Sequence, residues 1–322
     1  MIYFSIMAVV ISLFVLIYLL LKPVETWPIP AQELGFNNDL RILRGKYLVE
    51  NVAHCAHCHS PTDATKFGFP AIEGRKYCGG FLMGHNQGLP AELYAANLTP
   101  YGLSKYQDDD LYRALTQGVA KDGHVMFPLM PYGAYSKMDP QDVWSMIAYL
   151  RTLPSIQNDV PASTVDFPVG LINKLNQPSP QPTNFASLSQ EADLGAYYAN
   201  IAGCLECHSP ENSRHEADLS QAGAGGRAFV LPGGAVVRSS NITREPRTGI
   251  GSWSADRFVS RFKQYADSAY RPETIPAGGA NTYMAWHCFA GMEEADLRRI
   301  YAYLRTLPLQ TNQVVRYSPA AK

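Results

Sequence analysis

A pentapeptide of the form Cys-x-x-Cys-His occurs twice in this chain, as Cys55-Ala56-His57-Cys58-His59 and as Cys204-Leu205-Glu206-Cys207-His208. Two thiols three residues apart, followed at once by an imidazole, suit a single chemistry, in which both thiols form thioethers to a porphyrin while the imidazole ligates its iron. Zinc needs four ligands, and a redox dithiol has no use for the adjoining histidine. The doubled pattern therefore points to two covalently bound haem c groups, held by Cys55, Cys58, Cys204 and Cys207, with His59 and His208 on the irons.

The surroundings of the motif repeat as well. Arg44-Gly45-Lys46-Tyr47-Leu48 precedes the first and Leu194-Gly195-Ala196-Tyr197-Tyr198 the second. Glycine pairs follow at 79–80 and 225–226, then Asn97-Leu98-Thr99-Pro100 against Asn241-Ile242-Thr243. The heptapeptide Ala-Tyr-Leu-Arg-Thr-Leu-Pro closes both copies, at 148–154 and 302–308. A period of about 150 residues has the size of a domain, not of a solenoid unit. The expected fold is all-α, with haem modules at 38–154 and 187–312 joined by an extended proline-rich linker at 155–186. Within that linker, Val169–Leu175 reads either as a short apolar plug or as a solvated turn.

From Ile2 to Leu21 no residue is charged, and about 20 residues rising 1.5 Å each cover a hydrocarbon core of roughly 30 Å. A cleaved signal would carry a basic start and a small-residue cleavage site, which are absent here. Residues 1–26 are therefore expected to form an uncleaved transmembrane anchor. Haem attachment to this motif takes place outside the bacterial cytoplasm, so the expected location is single-pass in the inner membrane with the haem modules in the periplasm. Charged residues make up 17% of the chain, the formal net charge is -1, and no basic block suggests nucleic acid. Cys78 and Cys288 remain outside the motifs and read as unpaired thiols, with a disulfide the next alternative.

The second axial ligand separates electron transfer from catalysis. The register that superposes the heptapeptides pairs Met130 with Met284 and Met138 with Met292. Met138 and Met292 stand just before helix starts and read as packing residues. Met130-Pro131-Tyr132 and Met284-Ala285-Trp286 lie in aromatic loops before the last helix, and these methionines are the expected distal ligands.

On these residues the chain resembles a tandem class I cytochrome c, similar to the cytochrome subunit of membrane-bound quinoprotein alcohol dehydrogenases. The resemblance runs from about Arg41 to Leu309. It implies that Asn97, Asn241 and Trp253 wall the haems near their propionates. That subunit has three haem modules where this chain has two, and Met284-Ala285-Trp286 departs from the usual Met-Pro-aromatic sequence. His287 and Cys288 follow as possible competitors for the second iron. Two six-coordinate haems with histidine and methionine ligands leave no open position, so the expected function is electron relay. The donor would be a dehydrogenase or respiratory complex, and the acceptor a cytochrome or oxidase. The rival class is a dihaem enzyme such as a peroxidase or a thiosulfate dehydrogenase, the latter with a cysteine ligand.

Overall fold

The computed structural model describes residues 2–33, 37–212, 216–266, 270–276 and 278–320. In each half a leading helix crosses a closing helix. Asn38–Tyr47 packs on Pro140–Thr152, and Glu191–Ile201 packs on Glu294–Leu304. The Asn37 side chain caps the first of these, accepting from the amides of Asp39 and Leu40 at 2.8 and 3.3 Å. Asp139 caps Pro140–Thr152 by accepting from the Gln141 amide at 2.8 Å, with proline at the first helical position.

Both crossings depend on a missing side chain. A Cβ on Gly45 would lie 1.8 Å from the carbonyl oxygen of Ser145, and one on Gly195 would lie 1.9 Å from that of Arg299. With backbone against backbone, the neighbouring side chains interlock, and Leu48, Val49, Val52, Val143 and Leu297 are fully excluded from solvent. One apolar cluster runs through both halves.

The repeated heptapeptide is the end of the closing helix and its exit. Leu150, Leu153, Leu304 and Leu307 are buried. Arg151 donates to the Leu103 carbonyl at 2.9 Å, and Arg305 donates to the Gly251 carbonyl at 3.0 Å. The apolar positions seal the core while each arginine holds the loop passing the helix end.

The all-α expectation needs correction. Two three-stranded antiparallel sheets accompany the helices. In the first, β1 (Gly80–Met83) pairs with β2 (Ala91–Ala95), which pairs with β3 (Thr164–Val165). In the second, β4 (Ala228–Val230), β5 (Val236–Arg238) and β6 (Tyr317–Ser318) are ordered the same way. Ala91, Leu93 and Ala95 are buried and the residues between them are not, a period of two that belongs to a strand. Short strands of this kind escape a search for helical periodicity.

The segment 155–186 runs back over the first half. It supplies β3, a helix Val169–Leu175 in which no residue is fully buried, and a turn at Phe185–Ser187. Asn158 in this segment donates to the Cys78 carbonyl at 2.8 Å.

The expected anchor at 1–26 is also corrected, and with it the single-pass inner-membrane location and membrane attachment through the N-terminal helix. Among the described residues no helix is long and apolar enough to cross a membrane. Ile2–Leu21 is helical, but Met1 and several side chains of its first half lie outside the described residues.

Gly45→Ala and Gly195→Ala are each expected to destabilise the protein by about 3 kcal/mol or more, because the obstructing atom is a helical carbonyl that no rotamer change removes. Gly170→Ala, whose Cβ would first meet Val165 at 3.9 Å, should be neutral or stabilising by up to about 1 kcal/mol. Urea unfolding of the haem-loaded protein measures all three.

Candidate haem sites

Each leading helix delivers its motif through one left-handed residue. In the first half a π-helical turn, Leu48–Val52, extends the helix to His54 at φ 41°, and Cys55–Cys58 then form a single helical turn. In the second half Gly203 at φ 67° leads into Cys204–His208. One helical turn sets cysteines three residues apart on the same face. Burial pushes the Cys55 and Cys204 thiols up to about 12 and Cys58 to about 11, and it raises Cys207 as well. After burial, the Cys207 group raises Cys58 further. Cys207 is open to solvent, yet the surrounding protein penalises its charge.

The two imidazoles are held identically. His59 Nδ1 lies 2.8 Å from the Ala96 carbonyl oxygen, and His208 Nδ1 lies 2.7 Å from that of Ser240. A carbonyl accepts only, so Nδ1 carries the proton and Nε2 keeps its lone pair, the tautomer a metal ligand needs. Burial lowers the pKa of both. The His59 carbonyl accepts from the Gly79 amide at 2.9 Å, and the His208 carbonyl from the Gly225 amide at 2.8 Å. Two thiols and one neutral imidazole with a free Nε2 are the donor set that covalent haem requires. The cluster of three or more ligating side chains that zinc would need does not occur among the described residues.

The methionine loops also match. The Tyr132 amide donates to the Met130 carbonyl and the Trp286 amide to the Met284 carbonyl, both at 2.8 Å. Pro131 and Ala285 adopt the same backbone, with φ of -80° and -76° and ψ of 48° and 56°. Loss of the proline therefore leaves the loop unchanged. Met138 and Met292 are each 1% exposed and fill the core, whereas Met130 and Met284 are half-buried.

His287 is engaged across the halves. Its ring centroid lies 6.0 Å from that of His57, which is in turn 6.0 Å from His54, and His54 meets Phe289 edge-on at 4.9 Å. Burial first, then the neighbouring imidazoles and, at His287, Lys76, lowers His57 to about 3 and His287 to about 4. This cluster is invisible in the sequence, since nothing in the spacing links residue 57 to residue 287. Cys78 and Cys288 are buried free thiols, and burial pushes Cys288 up to about 12.

Asn97 and Asn241 act as clamps. The Asn97 amide donates to the carbonyls of Ile156 and Asn158 at 2.9 and 3.2 Å, while its oxygen accepts from the Thr99 amide and hydroxyl. Asn241 donates to Gln310 and Asn312 at 2.7 and 3.4 Å and accepts from Thr243 in the same way. Trp253 packs on the core under Arg257, whose guanidinium carbon lies 4.7 Å from its ring centre.

Residues 42–154 match the family model for cytochrome c. The fructose dehydrogenase cytochrome subunit of Gluconobacter japonicus is 28% identical over 299 residues, covering 89% of this chain and 55% of that protein. The cytochrome c subunit of the quinone alcohol dehydrogenase of Gluconobacter oxydans is 29% identical over 282 residues, covering 83% of this chain and 55% of the relative. The chain thus spans about half the length of these two relatives. A protein named as a dihaem c-type cytochrome in Cereibacter sphaeroides is 28% identical over 269 residues, 79% of this chain and 82% of that one. Residues 42–154 thus carry a cytochrome c domain, and the chain as a whole is similar to the cytochrome c subunits of quinone-linked dehydrogenases.

Asn97→Ala and Asn241→Ala should each cost about 2–3 kcal/mol, since buried carbonyls and the threonine donors lose their partner. The reduction potential should stay within about 20 mV of wild type, as expected of a group that clamps backbone and does not adjust the cofactor. Denaturant titration and redox potentiometry on the same samples test both halves of this expectation.

Proposed function

We propose that the chain binds two haem c groups and relays single electrons from a reduced dehydrogenase partner to a downstream cytochrome or oxidase. The observation that carries this reading is the matched pair of imidazoles, each with Nδ1 spent on a backbone carbonyl and each one residue beyond a pair of thiols. Cys55 and Cys58 would hold one group and Cys204 and Cys207 the other. His59 and His208 would ligate the irons, with Met130 and Met284 as their further ligands. Bound in this way, haem c supplies a one-electron iron couple with no open coordination position.

The chain's own work is to keep the ligands fixed and to shut out water. The carbonyls of Ala96 and Ser240 fix the imidazole orientation. The buried closing helices keep the frame from shifting when charge arrives. A dehydrogenase as donor is supported by the names of the relatives, which are cytochrome subunits of fructose and alcohol dehydrogenases.

Mass measurement of the intact denatured protein should show the increment of two haem groups, and a single increment would overturn the proposal. Met130→His and Met284→His should each remove about half of the weak near-infrared absorption of iron–thioether ligation. Each should also lower the potential of its own centre by about 100 mV, roughly fiftyfold in a one-electron equilibrium. Met138→Leu and Met292→Leu should leave both properties unchanged.

A further inference from the structure

The two halves meet through a reciprocal set of polar contacts. The Tyr47 hydroxyl of the first half donates to Asp296 Oδ2 of the second at 2.6 Å, and the Tyr197 hydroxyl of the second donates to Asp142 Oδ2 of the first at 2.6 Å. Each phenol oxygen also accepts a backbone amide from the opposite half, Glu293 at 3.3 Å and Asp139 at 3.1 Å. Asp142 and Asp296 occupy equivalent places in the closing helices, as do Asp139 and Glu293 just before them. The seam therefore has approximate twofold symmetry.

Each carboxylate is neutralised within its own half. Arg44 grips Asp142 through two bonds at 2.8 and 2.7 Å, and Arg299 reaches Asp296 at 2.8 Å. Asp142 and Asp296 are 7% and 2% exposed, so the tyrosine from the other half satisfies an oxygen that water does not reach freely. Burial and the facing carboxylate raise the pKa of both phenols, which keeps them protonated donors.

This seam lies against the candidate haem sites. The short helix Trp286–Phe289, directly after Met284, packs on the Leu48–Val52 turn that delivers the first motif. The short helix Tyr132–Tyr135, directly after Met130, packs on the leading helix of the second, where Asn200 donates to the Ala134 carbonyl at 2.9 Å. Each half thus braces the attachment segment of the other.

We infer that the Tyr47 and Tyr197 hydroxyls are positioning groups for electron exchange between the two halves, locking the Cys55–His59 and Cys204–His208 segments at a fixed separation and orientation. The inference rests on the two-haem reading proposed above. In the exchange one electron leaves a ferrous centre in one half and reduces a ferric centre in the other, with no bond made or broken. Its rate depends on the separation that the seam sets, while each centre's own potential depends on ligands the seam does not touch.

The test uses the full-length haem-loaded protein with Tyr47→Phe, Tyr197→Phe, the double variant, and Tyr101→Phe as a control. Tyr101 bonds Asp159 on the surface, away from the seam. Intact mass first fixes the number of haem groups in every sample. Exchange after photoreduction of one centre should slow about threefold in each single variant and about tenfold or more in the double. Individual potentials and the rate of reduction by a small external donor should stay at wild-type values, and Tyr101→Phe should change nothing. Exchange within twofold of wild type in the double variant overturns the inference. Should mass show one haem group only, hydrogen exchange of the amides at 47–52 and 197–201 decides whether the seam exists. Protection there should fall about tenfold, and unchanged protection overturns the locking role. Where the double variant does not fold, the single variants carry the same two readouts.

Discussion

The backbone contact at Gly45 and Gly195 is the constraint from which the rest of each half follows. With the leading helix seated directly on a carbonyl of the closing helix, its last turn and its exit point are fixed. The motif must then begin within a few residues, at His54 or Gly203, in a left-handed conformation that turns the chain off the helix axis. The same contact fixes the closing helix, so its end comes to lie beside the loop that holds the imidazole. A bulkier residue at 45 or 195 would separate the two helices and release both ends together.

The loop after the motif couples the motif imidazole to that closing segment. The Ala96 carbonyl orients His59, and the next side chain, Asn97, ties the same backbone to residues 156 and 158 beyond the heptapeptide. In the second half Ser240 and Asn241 do this for His208 and residues 310 and 312. A continuous path of hydrogen bonds thus runs from the backbone beside each motif imidazole to the far end of that half. This explains why the sequence repeats its asparagine and its heptapeptide together, although they lie more than 50 residues apart. It also gives Asn97 and Asn241 a structural reason for their identity, beside the haem-wall role that resemblance implies.

Local chemistry was legible in the sequence to the extent that it is written in local spacing. The buried places of Met138 and Met292 and the matched backbone of the two methionine loops follow from the register that superposes the two copies. The strands were hidden because Ala91, Leu93 and Ala95 show alternation over only five residues, bounded by glycine and proline. The seam was hidden for a different reason. Tyr47 and Asp296 are ordinary residues for a helix in isolation, and only the packing of one copy on the other gives them partners. The same holds for His57 and His287.

Duplication kept the frame and allowed the surroundings of the two motifs to diverge. Around the first stand His54 and His57, whose pKa values burial lowers, so they remain uncharged at neutral pH. Around the second, Arg227 bonds Glu206 at 2.8 Å and Glu211 at 3.2 Å, placing fixed charges beside Cys207. Desolvated neutral imidazoles on one side and a paired arginine–carboxylate set on the other differ in polarity, and net charge and solvent access are levers that set a reduction potential. With matched imidazole bonding and matched methionine turns, the polarity around each motif is the feature through which the two centres of the proposed relay would come to differ in potential.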